Sequence, residues 1–314
     1  MGGLGMEQEE SRTITDAMRR IPLLAGLGVG DITTERLGGL TNKNYLLGTP
    51  KGKFVLRIPG EGTSEYISRS NEAHAARETS EIGVNAPLIF FDDKDGVQLA
   101  GFVDGALTLN AERFKDLGSV RRAAQSLRKV HRSARPFLNR FELFQMIDAY
   151  LEILARKDAP LPDGYHDVKR EAESVRRAFG VRPLPSVPCH CDPLTENFLD
   201  TGQAVYVIDW EYAGNNDPMW DLGDLSVEGG FTPDQDMALL EAYFDGHIPA
   251  GDRGRMVLYK AMCDLLWTLW GIIQHVNENP ADDFWAYAVG RFERCKKLMG
   301  SPDFGRSIQA TIDG

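Results

Sequence analysis

His190-Cys191-Asp192-Pro193-Leu194-Thr195-Glu196-Asn197 is the stretch on which the reading of this chain turns. It fits H-x-D-x-x-x-x-N, and Val205-Tyr206-Val207-Ile208-Asp209 follows it, an apolar strand that ends in a carboxylate. Asp192 is suited to orient a hydroxyl and take its proton. Asn197 and Asp209 offer hard oxygen ligands of the kind magnesium prefers. One base and two metal ligands on neighbouring loops meet the needs of phosphoryl transfer, which rests on positioning and on neutralising charge. Singly, Asp-Pro is a common turn starter, Asn197 could cap a helix, and a strand often ends in Asp. In this order and at this spacing the three carry the chemistry together.

Upstream of that stretch the texture is first β. Strands are expected from about residue 35 into the turn-rich Gly38-Gly39-Leu40-Thr41-Asn42, then over 44–48 and 54–58, where Pro59-Gly60 stops the run. A helix follows over 64–82, then strands over 86–91 and 97–102 joined by Asp92-Asp93-Lys94-Asp95-Gly96. Before all of these, residues 13–25 read as a short amphipathic helix. Beyond Gly105 helical periodicity covers 110–134, 141–156 and 166–180, and a long helix is expected at about 253–278. The composition shift near 102–106 divides the chain into a β-rich lobe, 1–102, and a helical lobe, 103–314.

The segment 190–197 with Ile208-Asp209-Trp210-Glu211-Tyr212 resembles the catalytic region of the choline/ethanolamine kinase family, within the aminoglycoside phosphotransferase and choline kinase superfamily. The resemblance covers about 37–299. It implies an α+β, bilobal, protein-kinase-like fold: an N-lobe of five antiparallel strands plus one helix, and a mostly helical C-lobe. It further implies ATP and Mg2+ as reaction partners, with ATP between the lobes and its adenine near residues 99–102.

On that resemblance, Asp192 is the catalytic base, and Asn197 and Asp209 hold the metal. Gly38, Gly39, Thr41, Asn42 and Asn44 form a phosphate-binding hairpin loop. Arg57 stands where protein kinases place a phosphate-gripping lysine, and Glu72 braces it. Strand alternation puts Val55 and Arg57 on one face, and Phe54, Leu56 and Ile58 on the other.

The acceptor site is read from aromatic residues. Trp267 and Trp270 lie three apart on one helix face, Tyr212 follows the metal-site strand, and Tyr287 lies on the next helix. A quaternary ammonium has no N–H to donate and is best held by π-faces with a carboxylate near. Glu228 matches the acidic pocket residue of choline kinases. The same indoles could equally be core packing between helices. The expected acceptor is choline or a related cationic alcohol, with ethanolamine, thiamine or an aminoglycoside as alternatives on the same fold. A catalytically idle, small-cation-binding protein is the alternative of another class.

Other classes fit poorly. A net charge of −11 argues against nucleic acid. Gly26-Leu27-Gly28-Val29-Gly30 follows a helix rather than a strand, which excludes a dinucleotide loop. No G-x-x-x-x-G-K-[ST], D-F-G or A-P-E element occurs. The four cysteines, Cys189, Cys191, Cys263 and Cys295, make no C-x-x-C pair and are expected to be buried thiols. His131 is expected to be a packed, hydrogen-bonded histidine and Asp221 a brace for the catalytic loop. No run of 18 apolar residues is found and the first residues do not resemble a secretory signal, so a cytoplasmic chain without a membrane span is expected. The oligomeric state is left open between monomer and homodimer.

Overall fold

The computed structural model describes residues 3–39, 42–60 and 67–314. The chain forms two compact units, Met1–Asp104 and Gly105–Gly314.

The first unit opens with helix α1 (Gly3–Arg20). It starts earlier than the expected helix at 13–25 and stops at Arg20, because Pro22 bars helical backbone at the residue before it. Strands β1 (Thr33–Arg36), β2 (Lys43–Thr49), β3 (Gly52–Ile58), β4 (Leu88–Phe91) and β5 (Gln98–Gly101) form one antiparallel sheet in the order β1-β2-β3-β5-β4. Helix α2 (Arg69–Glu81) lies between β3 and β4 in sequence. Alternation along β3 sorts the two faces as expected. Phe54 and Leu56 join Tyr45, Leu47 and Leu99 in a core closed by Ile14, Met18 and Ile21 of α1 and the turn after it. Each such fully buried aliphatic side chain contributes about 1.5–3 kcal/mol. Arg57 takes the opposite face, where α2 packs.

The second unit holds two small sheets among nine helices of the described residues. Strands β6 (Leu107–Thr108), β8 (Phe198–Asp200) and β9 (Val205–Val207) pair in the order β6-β8-β9, and β7 (Val187–Cys189) pairs with β10 (Gly214–Asn216). The first helices are α3 (Leu117–Ser133), α4 (Leu143–Arg156), α5 (Tyr165–Glu171) and α6 (Glu173–Val181). Helix α3 begins seven residues later than the expected 110, because Asp116 caps it by accepting from the N–H groups of Gly118 and Ser119. The expected helix at 166–180 is two, divided at Ala172.

The remaining helices are α7 (Pro218–Glu228), α8 (Pro233–Phe244), α9 (Ala250–Val276), α10 (Phe284–Met299) and α11 (Pro302–Asp313). Helix α9 is long and apolar enough to cross a membrane, but its most apolar window is 89% buried inside the fold. Its neighbours there are α4, α7, α10 and α11. Two glycines set how closely these neighbours approach. A Cβ on Gly223 of α7 would lie 2.8 Å from the Met256 carbonyl oxygen and from Tyr259 Cβ on α9. A Cβ on Gly271 of α9 would lie 2.7 Å from the Tyr287 ring on α10. These two contacts bring the acidic face of α7 and the aromatic face of α10 against the middle of α9.

Candidate active site

Strand β7 delivers the chain to the loop 190–197 in a backbone conformation that L-residues rarely take. Cys191 has φ +68° and Asp209, two residues past β9, has φ +69°. Left-handed backbone at non-glycine residues costs on the order of 1–3 kcal/mol each and persists where surrounding bonds enforce it. Asp221 of α7, fully buried, supplies that enforcement at Cys191. Its Oδ2 accepts from the His190 N–H at 2.7 Å and its Oδ1 from the Cys191 N–H at 2.8 Å. His131 Nε2 donates to the same Oδ2 at 2.9 Å, while its Nδ1 accepts from the Tyr243 hydroxyl at 2.9 Å. The Trp220 indole donates to the Cys191 carbonyl at 3.1 Å. His190 reaches the other loop, with Nε2 donating to the Ile208 carbonyl at 2.8 Å.

Asn197 and Asp209 flank the open end of the β8–β9 hairpin. The Ile208 N–H donates to the Asn197 carbonyl at 2.9 Å, which continues the ladder one step past Phe198 and Val207. The Asn197 side-chain nitrogen donates to the Asp192 carbonyl at 3.2 Å. With that end of the amide committed, Oδ1 is the end left to meet a cation. A neutral amide oxygen and a carboxylate are hard donors, so these residues fit a magnesium ion.

The surroundings of Asp192 are strongly acidic. Burial pushes its pKa well above the usual carboxylate range, Asp209, Glu228 and Glu211 push the same way, and Arg291 pulls back. Such a carboxylate is a stronger base than a solvated aspartate.

The aromatic residues fall into two touching pairs on α9. Tyr212 meets Trp267 edge to face, centroids 5.3 Å apart, and Trp270 meets Tyr287 at 5.8 Å. Phe284 joins the second pair, 5.6 Å from Trp270. The indoles are only 4% and 8% exposed, and among the described residues neither indole N–H finds an acceptor.

Glu228 is not bare. Arg291 holds both its oxygens, at 2.6 and 2.8 Å, reaches Asp264 at 3.2 Å, and stands 4.6 Å over the Tyr287 ring. Burial opposes the charge on Arg291, but Glu228, Tyr287 and Asp264 outweigh it and keep its pKa well up. Arg294 closes on Asp264 at 2.6 and 2.7 Å.

In the first unit, Arg57 and Glu72 form a buried ion pair at 2.9 Å, and Arg69 takes the other Glu72 oxygen at 2.6 Å. Glu72 is thus shared between two guanidiniums rather than reserved for Arg57. Gly38 and Gly39 follow β1. The Asn44 side-chain nitrogen donates to the Gly38 carbonyl at 2.9 Å, so this amide also closes the loop it was expected to serve as a phosphate donor. Asn42 is buried. Thr41 lies outside the described residues.

Reading the sequence missed Asp224, Asp264 and Arg291. The signal for Asp224 was present: Asp217, Asp221, Asp224 and Glu228 recur at helical spacing on one face of α7. All four cysteines are buried and unpaired with one another. His131, Cys189 and Asp221 stand close together. The histidine and carboxylate are spent on each other and on backbone groups, and burial keeps the Cys189 thiol protonated. This is hydrogen-bonded core rather than a ligand set.

The sequence matches the phosphotransferase enzyme family over residues 33–259. A choline/ethanolamine kinase family protein from Mesorhizobium loti is 51% identical in a structural alignment covering 97% of this chain and 99% of that one, with a TM-score of 0.87. Choline kinase LicA from Streptococcus pneumoniae is 28% identical over 85% of this chain and 93% of that one, at TM-score 0.74, and LicA has also been solved in complex with AMP. Ethanolamine kinase 2 from Mus musculus is 25% identical, covering 85% of this chain and 76% of its own length. The fold is α+β and protein-kinase-like, as these structures share it. The chain belongs to the phosphotransferase enzyme family, in its choline/ethanolamine kinase branch.

Proposed function

We propose that this protein transfers the γ-phosphate of ATP, with magnesium, to the hydroxyl of choline or a closely related amino alcohol. The observation that carries the reading is the nearness of the braced Asp192 to Glu228 and to Tyr287, the ring that packs on Trp270 of α9. Asp192 orients the acceptor hydroxyl and takes its proton as the oxygen bonds to phosphorus and ADP leaves. Asn197 and Asp209 would hold the magnesium. When bound, the ion would neutralise charge on the transferring phosphoryl group. In the first unit we assign phosphate binding to Arg57, held by Glu72, and to Gly38, Gly39, Asn42 and Asn44.

Tyr212, Trp267, Trp270 and Tyr287 receive the cationic head group on their π-faces. Glu228 contributes its charge through Arg291 and fixes the Tyr287 ring by way of that guanidinium. Acids outnumber guanidiniums around Asp192, which suits a cationic acceptor and a metal ion. The AMP complex of LicA supports an adenine nucleotide as the donor's kind.

ADP release measured over choline, ethanolamine, thiamine and kanamycin tests the reading. Turnover on choline or ethanolamine well above the other two is the expected result. Turnover on kanamycin or thiamine alone would discard the head-group assignment, and nucleotide binding without any turnover would favour a binding protein.

A further inference from the structure

The acidic face of α7 carries four carboxylates, and three have evident partners. Asp217 takes Arg255 Nε at 2.6 Å and the Tyr259 hydroxyl at 3.1 Å. Asp221 holds the catalytic loop, and Glu228 holds Arg291. Asp224 differs. It is fully buried, and among the described residues neither of its carboxyl oxygens has an N–H or O–H partner. The Cys263 thiol, a weak donor, borders it. A buried carboxyl in that state is costly, and native folds keep one where something else completes its hydrogen bonds.

Its position says what that is. The close crossing at Gly223 presses this turn of α7 onto α9. Cys263, which borders Asp224, lies one helical turn before Trp267 on α9, and Glu228 lies one turn after Asp224 on α7. Burial raises the pKa of Asp224 well above the ordinary range, and Glu228 and Asp192 add to it, so the carboxyl is near both acids of the acceptor site. It is buried near Asp192 and Glu228, on the face of α7 that borders Cys263.

We propose that Asp224 determines which amino alcohol is accepted, by taking a hydrogen bond from an ammonium N–H, so that primary amino alcohols are favoured over quaternary ones. This inference rests on the reading of Trp267 and Glu228 as part of the acceptor's head-group site. A carboxyl oxygen accepts such a bond whether or not the group is ionised. A primary ammonium can lay one side on the indoles and turn its N–H groups to Asp224. A trimethylammonium satisfies the aromatic faces but leaves both Asp224 oxygens unpartnered. Sites built to pair a substrate N–H discriminate strongly against the analogue lacking it.

The test is kcat/KM on ethanolamine and choline for the unsubstituted protein, Asp224→Asn and Asp224→Ala. The ratio of ethanolamine to choline should fall about tenfold or more in Asp224→Asn, and further in Asp224→Ala, where no acceptor remains. A second series needs no variant: ethanolamine, its N-methyl and N,N-dimethyl derivatives, and choline on the unsubstituted protein. The expected pattern is a sharp drop at the final methylation, where the last N–H disappears. An unchanged ratio, an equal loss on both alcohols, or no drop at choline would overturn the role of Asp224 while leaving the proposed reaction intact. Absence of turnover on any of these alcohols would refute that reaction, and this inference with it.

Discussion

Arg291 grips Glu228 through both carboxylate oxygens, at 2.6 and 2.8 Å, and lies across the ring of Tyr287 in the same stroke. One guanidinium therefore ties α7 to α10 and fixes the Tyr287 ring, a wall of the proposed acceptor site. It also touches Asp264, itself fully buried. Removing Arg291 would take both bonds from Glu228, while Asp264 keeps Arg294, and breaking a buried pair by deleting one partner costs about 3–5 kcal/mol. Arg291→Met should lower the free energy of unfolding, read from urea denaturation, by an amount in that range. A change within about 0.5 kcal/mol, the size typical of surface substitutions, would mean the pair is not structural.

Asp221 accepts two consecutive backbone N–H groups and a histidine N–H, and Cys191 is left-handed under that hold. Asp221→Asn replaces one acceptor oxygen with an NH2 group that faces a donor. The expected result is a lower melting temperature and a kcat down roughly tenfold or more, with KM for ATP little changed, since the loop positions Asp192 rather than the nucleotide. A loss of stability with full kcat would contradict the link from brace to base.

Trp267 and Trp270 combine packing with a π-face. Leucine at either position keeps apolar bulk and removes the indole quadrupole. A desolvated cation–π contact contributes about 1–2 kcal/mol, which is roughly a 5–30-fold rise in KM. The Trp267→Leu and Trp270→Leu proteins should show that rise for choline in steady-state kinetics. KM values that stay put would make both indoles ordinary core.

Some of this was legible in the chain and some was not. The five strands and α2 of the first unit follow from alternation and turn residues, and β3 sorts its faces as Phe54, Leu56 and Arg57 predict. Asp192, Asn197 and Asp209 announce themselves because their order and spacing are local to one segment. Helix ends were misplaced where a cap or a proline decides them, as at Asp116 and Pro22. The partner of Glu228 could not be read, because Arg291 is 63 residues away and meets it only through the packing of helices α7, α9 and α10. The bond from the Asn44 side chain to the Gly38 carbonyl was not legible either.

Asp224 also predicts a pH dependence of stability. Its folded-state pKa lies well above the unfolded value, chiefly through burial, with Glu228 and Asp192 adding, and Cys263 and Arg291 opposing. The Cys191 thiol, pushed up by burial and to a smaller degree by Asp224, also faces it. The folded chain then binds the extra proton above the unfolded pKa, so stability falls as pH rises toward the folded value. Asp224→Asn removes that titration. Unfolding between pH 5 and pH 8 should show the variant gaining on the unsubstituted protein as pH rises. A difference that is flat with pH, or that shrinks, would mean Asp224 is paired in solution.

The most direct measurement is 31P NMR of the protein and its Asp192→Asn variant, each with ATP, magnesium and choline or ethanolamine. A phosphomonoester of the alcohol should appear together with ADP, at a rate about 10²–10⁴-fold lower in the variant. Equal rates from both proteins would contradict the role given to Asp192, and inorganic phosphate in place of the ester would contradict transfer to an amino alcohol.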